Sequence, residues 1–150
     1  MKKFRFSLET LKDYRGQELD RQKNALSALQ AELRRITEDI EVLTARLAQE
    51  SEELVVISAR GATANEIALR KRYIVTLQAD IHLKEQQSLL KQEEINKQLD
   101  VVVEATKDVR TLEKLEEKQL EEYKFLENKE NEQFIEEFVS GQSVRAASKL

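Results

Sequence analysis

Cysteine, proline and tryptophan are absent from the 150 residues of this chain. Without cysteine there is no disulfide and no thiolate metal site, a pattern suited to a reducing compartment. Without proline, nothing in the chain forbids a helix interior. Glycine occurs only at Gly16, Gly61 and Gly141, and aromatic residues make up 5%. So few bulky rings cannot fill a wide globular core. They suffice for a narrow seam between helices, which needs only two or three apolar residues per seven. Long apolar runs are missing too: stretches such as Leu54–Ile57 fall far short of the roughly 20 residues that span a bilayer. The basic start, Met1-Lys2-Lys3-Phe4-Arg5-Phe6, is followed by no apolar segment of the kind found in signal peptides.

Catalytic motifs are missing as well. There is no Gly-rich phosphate loop, no His-x-Glu-x-x-His pattern and no Cys-x-x-Cys pair. The one histidine, His82, sits among helix formers and reads as a solvated surface residue. Acidic pairs recur at Glu52-Glu53, Glu93-Glu94, Glu116-Glu117 and Glu136-Glu137. A catalytic carboxylate pair needs a concave, partly desolvated site, which two packed helices do not supply. The chain therefore reads as a non-enzyme, with no catalytic residue, no metal and no cofactor.

What remains is abundant charge and helix-forming side chains. Asp, Glu, Lys and Arg make up 36% of the residues, and the net charge is −4. An acidic balance argues against nucleic acid, whose binders carry a clustered basic excess. Glu, Lys, Leu, Ala, Arg and Gln lose little rotamer freedom in a helix. A stripe at alternating spacings of three and four runs through Leu26, Leu29, Leu33, Ile36, Ile40, Leu43, Leu47, Glu50, Leu54 and Ile57, the heptad signature of a coiled coil. Upstream, Phe4, Leu8, Leu11 and Arg15 resume the pattern only through a four-residue insertion, a stutter before Leu26. Ser7 is placed to cap this arm, with Phe6 and Leu11 as its hydrophobic staple.

The stripe stops at Ser58-Ala59-Arg60-Gly61-Ala62, where glycine can take the left-handed conformation that ends helices. Thr63-Ala64-Asn65-Glu66 then reads as a capping box opening a second helix. This arm carries Ile67, Tyr73, Ile74, Leu77 and Ile81, then Lys84, Ser88 and Gln92 near the seam. Ile95, Leu99, Val102, Thr106, Val109 and Leu112 follow, continued by Leu115, Leu120, Tyr123 and Leu126. The polar middle is either a register shift or a section left open for a partner. Forward pairs Glu66–Arg70, Asp80–Lys84 and Glu93–Lys97 are spaced to support the helix.

The expected fold is all-α: a long antiparallel two-helix coiled-coil hairpin over residues 1–139. Its arms span about 7–58 and 64–139, its turn lies near 59–63, and residues 140–150 form a disordered tail after Ser140-Gly141. Charge favours an intramolecular hairpin, hence a monomer. Residues 1–23 carry seven basic and four acidic side chains, and residues 113–137 carry ten acidic and four basic ones. A turn at Gly61 sets residue i beside residue 122 − i and so brings these stretches together. A parallel dimer stacks like on like. By the same rule, Phe134 and Phe138 extend past the first arm, and an uncovered apolar helical face implies a protein partner. Tyr73 and Tyr123 are either partner anchors or caps on the seam.

The chain resembles the FliJ family of the bacterial flagellar type III export apparatus. The likeness rests on the start Phe4-Arg5-Phe6-Ser7-Leu8-Glu9-Thr10-Leu11-Lys12-Asp13-Tyr14 and on Tyr73-Ile74-Val75-Thr76-Leu77 followed by Ile81. Leu112-Glu113-Lys114-Leu115-Glu116-Glu117-Lys118 and the Glu- and Phe-rich segment Asn131–Phe138 complete it. The resemblance implies a coiled coil similar to the gamma-subunit stalk of rotary ATP synthases. It further implies a protein of the cytoplasm, held peripherally at the inner membrane, that couples a hexameric export ATPase to a membrane export gate protein and helps deliver export substrates or their chaperones. ATPase contacts are then expected at Phe4, Phe6, Leu11, Tyr123, Phe134 and Phe138, and gate contacts at Leu43, Tyr73 and Leu77. Arg46, Asp80 and Lys84 put charge on that gate face, a departure from the family pattern. A structural coiled-coil spacer without a motor partner is the alternative. A prefoldin-like holdase fits less well, since it needs strands and none is patterned here.

Overall fold

A computed structural model describes residues 2–148, with side chains through Ala147. It contains two helices, α1 (Glu9–Arg60) and α2 (Ala64–Ser148), packed against each other as an all-α hairpin. The turn follows the expected chemistry. Gly61 has φ +90°, and the Ala62 N–H donates to the Ile57 carbonyl at 3.1 Å, the bond that closes a Schellman motif. Thr63 then caps α2 reciprocally. The Glu66 N–H donates to Thr63 Oγ1 at 3.2 Å, and the Thr63 N–H donates to the Glu66 carboxylate at 3.3 Å.

The chain divides into two compact units. The first to consider, Asp20–Val103, holds the turn. Its cross-arm contacts are Arg70 with Glu50 and Glu53, Lys84 with Asp39, Lys91 with Glu32, and Gln98 with Gln22. Each pair of residue numbers adds to between 120 and 123, the antiparallel register of a turn at Gly61. The other unit joins Met1–Leu19 to Glu104–Leu150. There Arg15 meets Asp108, Lys12 meets Glu116, and Ser7 meets Gln119, with sums of 123 to 128.

All ten positions of the predicted α1 stripe, Leu26 to Ile57, are half-buried. The structure corrects the reading on either side of it. Upstream, the inward positions are Lys12, Arg15, Leu19 and Gln22, whereas Leu8 and Leu11 are exposed. Those inward positions continue the three-four alternation into Leu26 without a stutter. Ser7 does not cap α1. The helix begins at Glu9, and the Ser7 hydroxyl donates to Gln119 Oε1 at 3.4 Å. Phe6 is buried, but Leu11 is not its staple partner.

In α2 a line of buried or half-buried positions runs Ile67, Arg70, Ile74, Leu77, Ile81, Lys84, Ser88, Lys91, Ile95, Gln98, Val102, Ala105, Val109, Leu112, Glu116, Gln119 and Tyr123, with Thr106, Leu115, Leu120 and Glu127, the first three expected on the stripe, half-buried beside it. This is one unbroken alternation of three and four. The polar middle is therefore not a register shift. Lys91 and Gln98 hold seam positions that had been given to Gln92 and Leu99, which are exposed. Long cationic side chains suit such places, because their stems lie on the apolar seam while their heads reach outward. The heads found acids on the other arm: Arg70 and Lys84 bond across to α1, not to Glu66 and Asp80 within their own helix.

α2 also passes the expected stop. It continues through Ser140 and Gly141 to Ser148. A glycine with helical dihedrals weakens a helix by about 1 kcal/mol but does not end it, and no proline follows. The last two residues of the expected tail, 149 and 150, lie outside the described residues.

Candidate functional site

Residues 2–6 precede α1 without helical structure and lie against α2. Phe6 is 6% exposed and anchors the segment. Phe4 packs on Tyr123 with ring centroids 5.6 Å apart and planes tilted by 55°, a geometry favourable to aromatic pairs. The Tyr123 hydroxyl donates to the Lys2 carbonyl. Partial burial pushes the Tyr123 phenol above its ordinary value, and the Glu127 and Glu130 carboxylates push the same way. Tyr123 therefore stays protonated and keeps this bond across the physiological range. Of the two readings left open for Tyr123, this geometry fits the seam cap. Lys2, Lys3 and Arg5 line an open cleft with Phe4 and Tyr123.

Beyond Glu127 every residue from 128 to 147 is exposed. Phe134 is 69% and Phe138 58% exposed, and Ile135, Val139 and Val144 are also open. Upstream, Phe125 and Leu126 are exposed as well. At 100° per residue, Phe134, Phe138, Ile135 and Val139 fan across about 140° of the helix circumference. Leu126 and Val144 lie on a separate line about 80° before Phe134. This end of α2 is thus apolar on more than one side, with Glu132, Glu136 and Glu137 between. The four clustered residues form the apolar face of an amphipathic helix, and such a face, left bare here, calls for a partner. Phe4, Phe6 and Tyr123 are brought together near the chain start, while Leu11 faces solvent, and Phe134 and Phe138 form a separate surface.

The residues matched to a gate contact divide differently. Leu77 is 3% exposed and Leu43 is half-buried, both within the seam. Tyr73, one turn before Leu77, is 38% exposed. Further along the arms Val42, Leu83 and Leu90 are exposed as well. Open grooves run between these and the seam, one lined by Val42, Leu43, Leu83, Asp80 and the Lys84–Asp39 pair, the next by Ile36, Leu90, Arg35, Glu94 and the Lys91–Glu32 pair, so that Asp80 and Lys84 do put charge on this face. Hydrogen bonding to Lys91 holds the Glu32 carboxyl below its ordinary value, and the same bond holds Lys91 above its own. The apolar flank of Val42, Leu83 and Leu90 was missed in the sequence. It lies off the seam and its members are seven residues or a helix apart, so only the packed pair of arms shows it as one surface.

The family model for the flagellar FliJ protein matches residues 4–148. The chain belongs to the flagellar FliJ family. That match covers nearly its whole length and makes it a component of the flagellar type III export apparatus. No curated protein and no solved structure matches it. Among the described residues, no helix of this FliJ-family chain is long and apolar enough to cross a membrane.

Proposed function

We propose that this FliJ-family chain couples the export ATPase ring to the membrane export gate and assists delivery of export substrates or their chaperones. The observation that carries the reading is the end of α2. Phe134, Ile135, Phe138, Val139 and Val144 are open on several sides of one unpaired helix. A scaffold arm has no use for such an end, which invites nonspecific association. In this reading the ATPase meets Phe134 and Phe138, while Phe4, Phe6 and Tyr123 hold the adjoining segment in place.

The gate contact falls beside the seam, at the exposed residues Tyr73, Val42, Leu83 and Leu90. Leu43 and Leu77 contribute from within the seam, since most of their surface is covered. The protein acts by binding, without catalysis of its own.

Phe134→Ser with Phe138→Ser tests the role. The double variant should keep the circular dichroism and melting midpoint of the parent and lose capture of the export ATPase. Unfolding of the variant would show that these residues are core. Undiminished capture would leave a structural spacer as the better reading.

A further inference from the structure

In the stretch of α2 after Tyr73 the seam positions are Ile74, Leu77, Ile81, Lys84 and Ser88. The back of the helix, opposite that line, should carry charge, as the water face of an amphipathic helix does. Between residues 75 and 90 it carries none. Val75, Leu83, Leu89 and Leu90 stand there with more than half their surface open. Thr76, Ala79, His82 and Gln86, also exposed, fill the places between them. In a chain with 36% charged residues, this is a bare, uncharged helix face about 22 Å long.

Charge returns at both ends of the face. Lys71 and Arg72 stand before it, Glu93 and Glu94 after it. Lys91 holds Glu94 at 3.1 Å, but among the described residues neither Arg72 nor Glu93 has an ion-pair partner. The midpoint falls between His82 and Leu83, with Arg72 as far before it as Glu93 is after. Such a face complements itself when turned round. A second copy laid antiparallel about a twofold axis at that midpoint sets residue i beside residue 165 − i or its neighbour. Arg72 then meets Glu93 of the second copy, and the symmetry makes the pair twice. Val75 falls against Leu89, Thr76 against Leu90 and Leu83 against its own copy. Asp80 and Glu85 flank the face, and each falls beside a glutamine, Gln87 and Gln78. A parallel copy would instead set Arg72 on Arg72 and Glu93 on Glu93, which is unfavourable.

We infer that the back of α2 between Arg72 and Glu93 is a self-association surface, on which a second copy of the chain docks antiparallel. The charge argument for the hairpin concerns the seam and leaves this face untouched. In the pair Leu83 and Leu90 are covered, so a docked copy withholds them from the export gate. That consequence rests on the gate reading; the pairing itself does not.

Sedimentation equilibrium on the full chain tests it, with circular dichroism of each variant as the check on folding. The parent should self-associate reversibly into a dimer. Arg72→Glu should weaken the association by about tenfold or more, and Arg72→Glu with Glu93→Arg should restore it. The chain has no cysteine, so Leu83→Cys supplies a single thiol beside its own copy at the axis. Mild oxidation should link that variant into a dimer and leave Val55→Cys, at an exposed position of α1, unlinked. A parent that stays monomeric up to about 1 mM overturns the inference. So does a dimer that Arg72→Glu leaves unchanged, or one that Leu83→Cys fails to link, as expected of copies that exchange arms through the seam.

Discussion

Leu77 is 3% exposed, and Leu89, twelve residues along the same helix, is 69% exposed. Truncating each to alanine removes the same atoms from very different surroundings. A Leu→Ala change in a well-packed core costs about 2–5 kcal/mol. The seam is one layer deep and its neighbours can close partly over the gap, which places Leu77→Ala near the lower end, at about 2–3 kcal/mol. For a chain of this size about 1 kcal/mol moves the midpoint by roughly 2–4 °C, so a fall of roughly 5–10 °C is expected. Leu89→Ala should stay within about 0.5 kcal/mol. Thermal melts followed by circular dichroism at 222 nm, with urea titrations as a check, would measure both. Tyr73→Ala completes the comparison. It should weaken capture of the export gate while shifting the midpoint by only about 1 °C. Equal destabilisation by Leu77→Ala and Leu89→Ala would refute the assignment of Leu77 to the seam. Loss of gate capture by Leu77→Ala with an unchanged midpoint would refute the division between seam and contact residues.

Gly61 has φ +90°, and a Cβ there would meet no atom within 4 Å. Gly61→Ala should therefore destabilise through backbone strain alone, by about 1–2 kcal/mol, with Gly61→Asn milder. Gly16 is helical and equally open. Gly16→Ala should raise stability by about 0.5–1 kcal/mol, and melting midpoints check both substitutions. Glu32 has a folded pKa below its ordinary 4.5, so its stabilisation is present above that value and is lost as pH falls through the lowered one. Lys12 and Lys91 are held above 10.5 by their carboxylate partners. Their stabilisation is present below 10.5 and is lost as pH rises through the raised values. The midpoint should accordingly be flat from about pH 6 to 9 and fall on both sides. Glu32→Gln should flatten part of the acid limb.

The turn and the α1 stripe were legible because their signals are apolar or conformational. Gly61 could take positive φ, Thr63 and Glu66 had capping spacing, and nine of the ten stripe residues are apolar. The seam of α2 was half legible for the opposite reason. Arg70 and Gln98 hold heptad positions, but a search for apolar residues passes to Tyr73 and Leu99 instead. The same habit chose Leu11 over Lys12 and created a stutter that the helix does not have. Spacing alone reaches Lys84 and Arg15, which the structure half-buries, but which acid each cation meets on the other arm is a tertiary fact. Gly141 misled in a simpler way, since glycine permits a helix end but does not impose one. The aromatic end of α2 could be named from the sequence because the first arm runs out before it. That the helix carries on through Gly141 to Ser148 beyond it was visible only in the structure.

The most direct test of the coupling role is sedimentation of the purified chain with the export ATPase assembled as a hexamer. One copy per six ATPase subunits, abolished by Phe134→Ser with Phe138→Ser while the variant remains folded, is the predicted result. No complex, or binding in equal numbers on the outside of the ring, would contradict it.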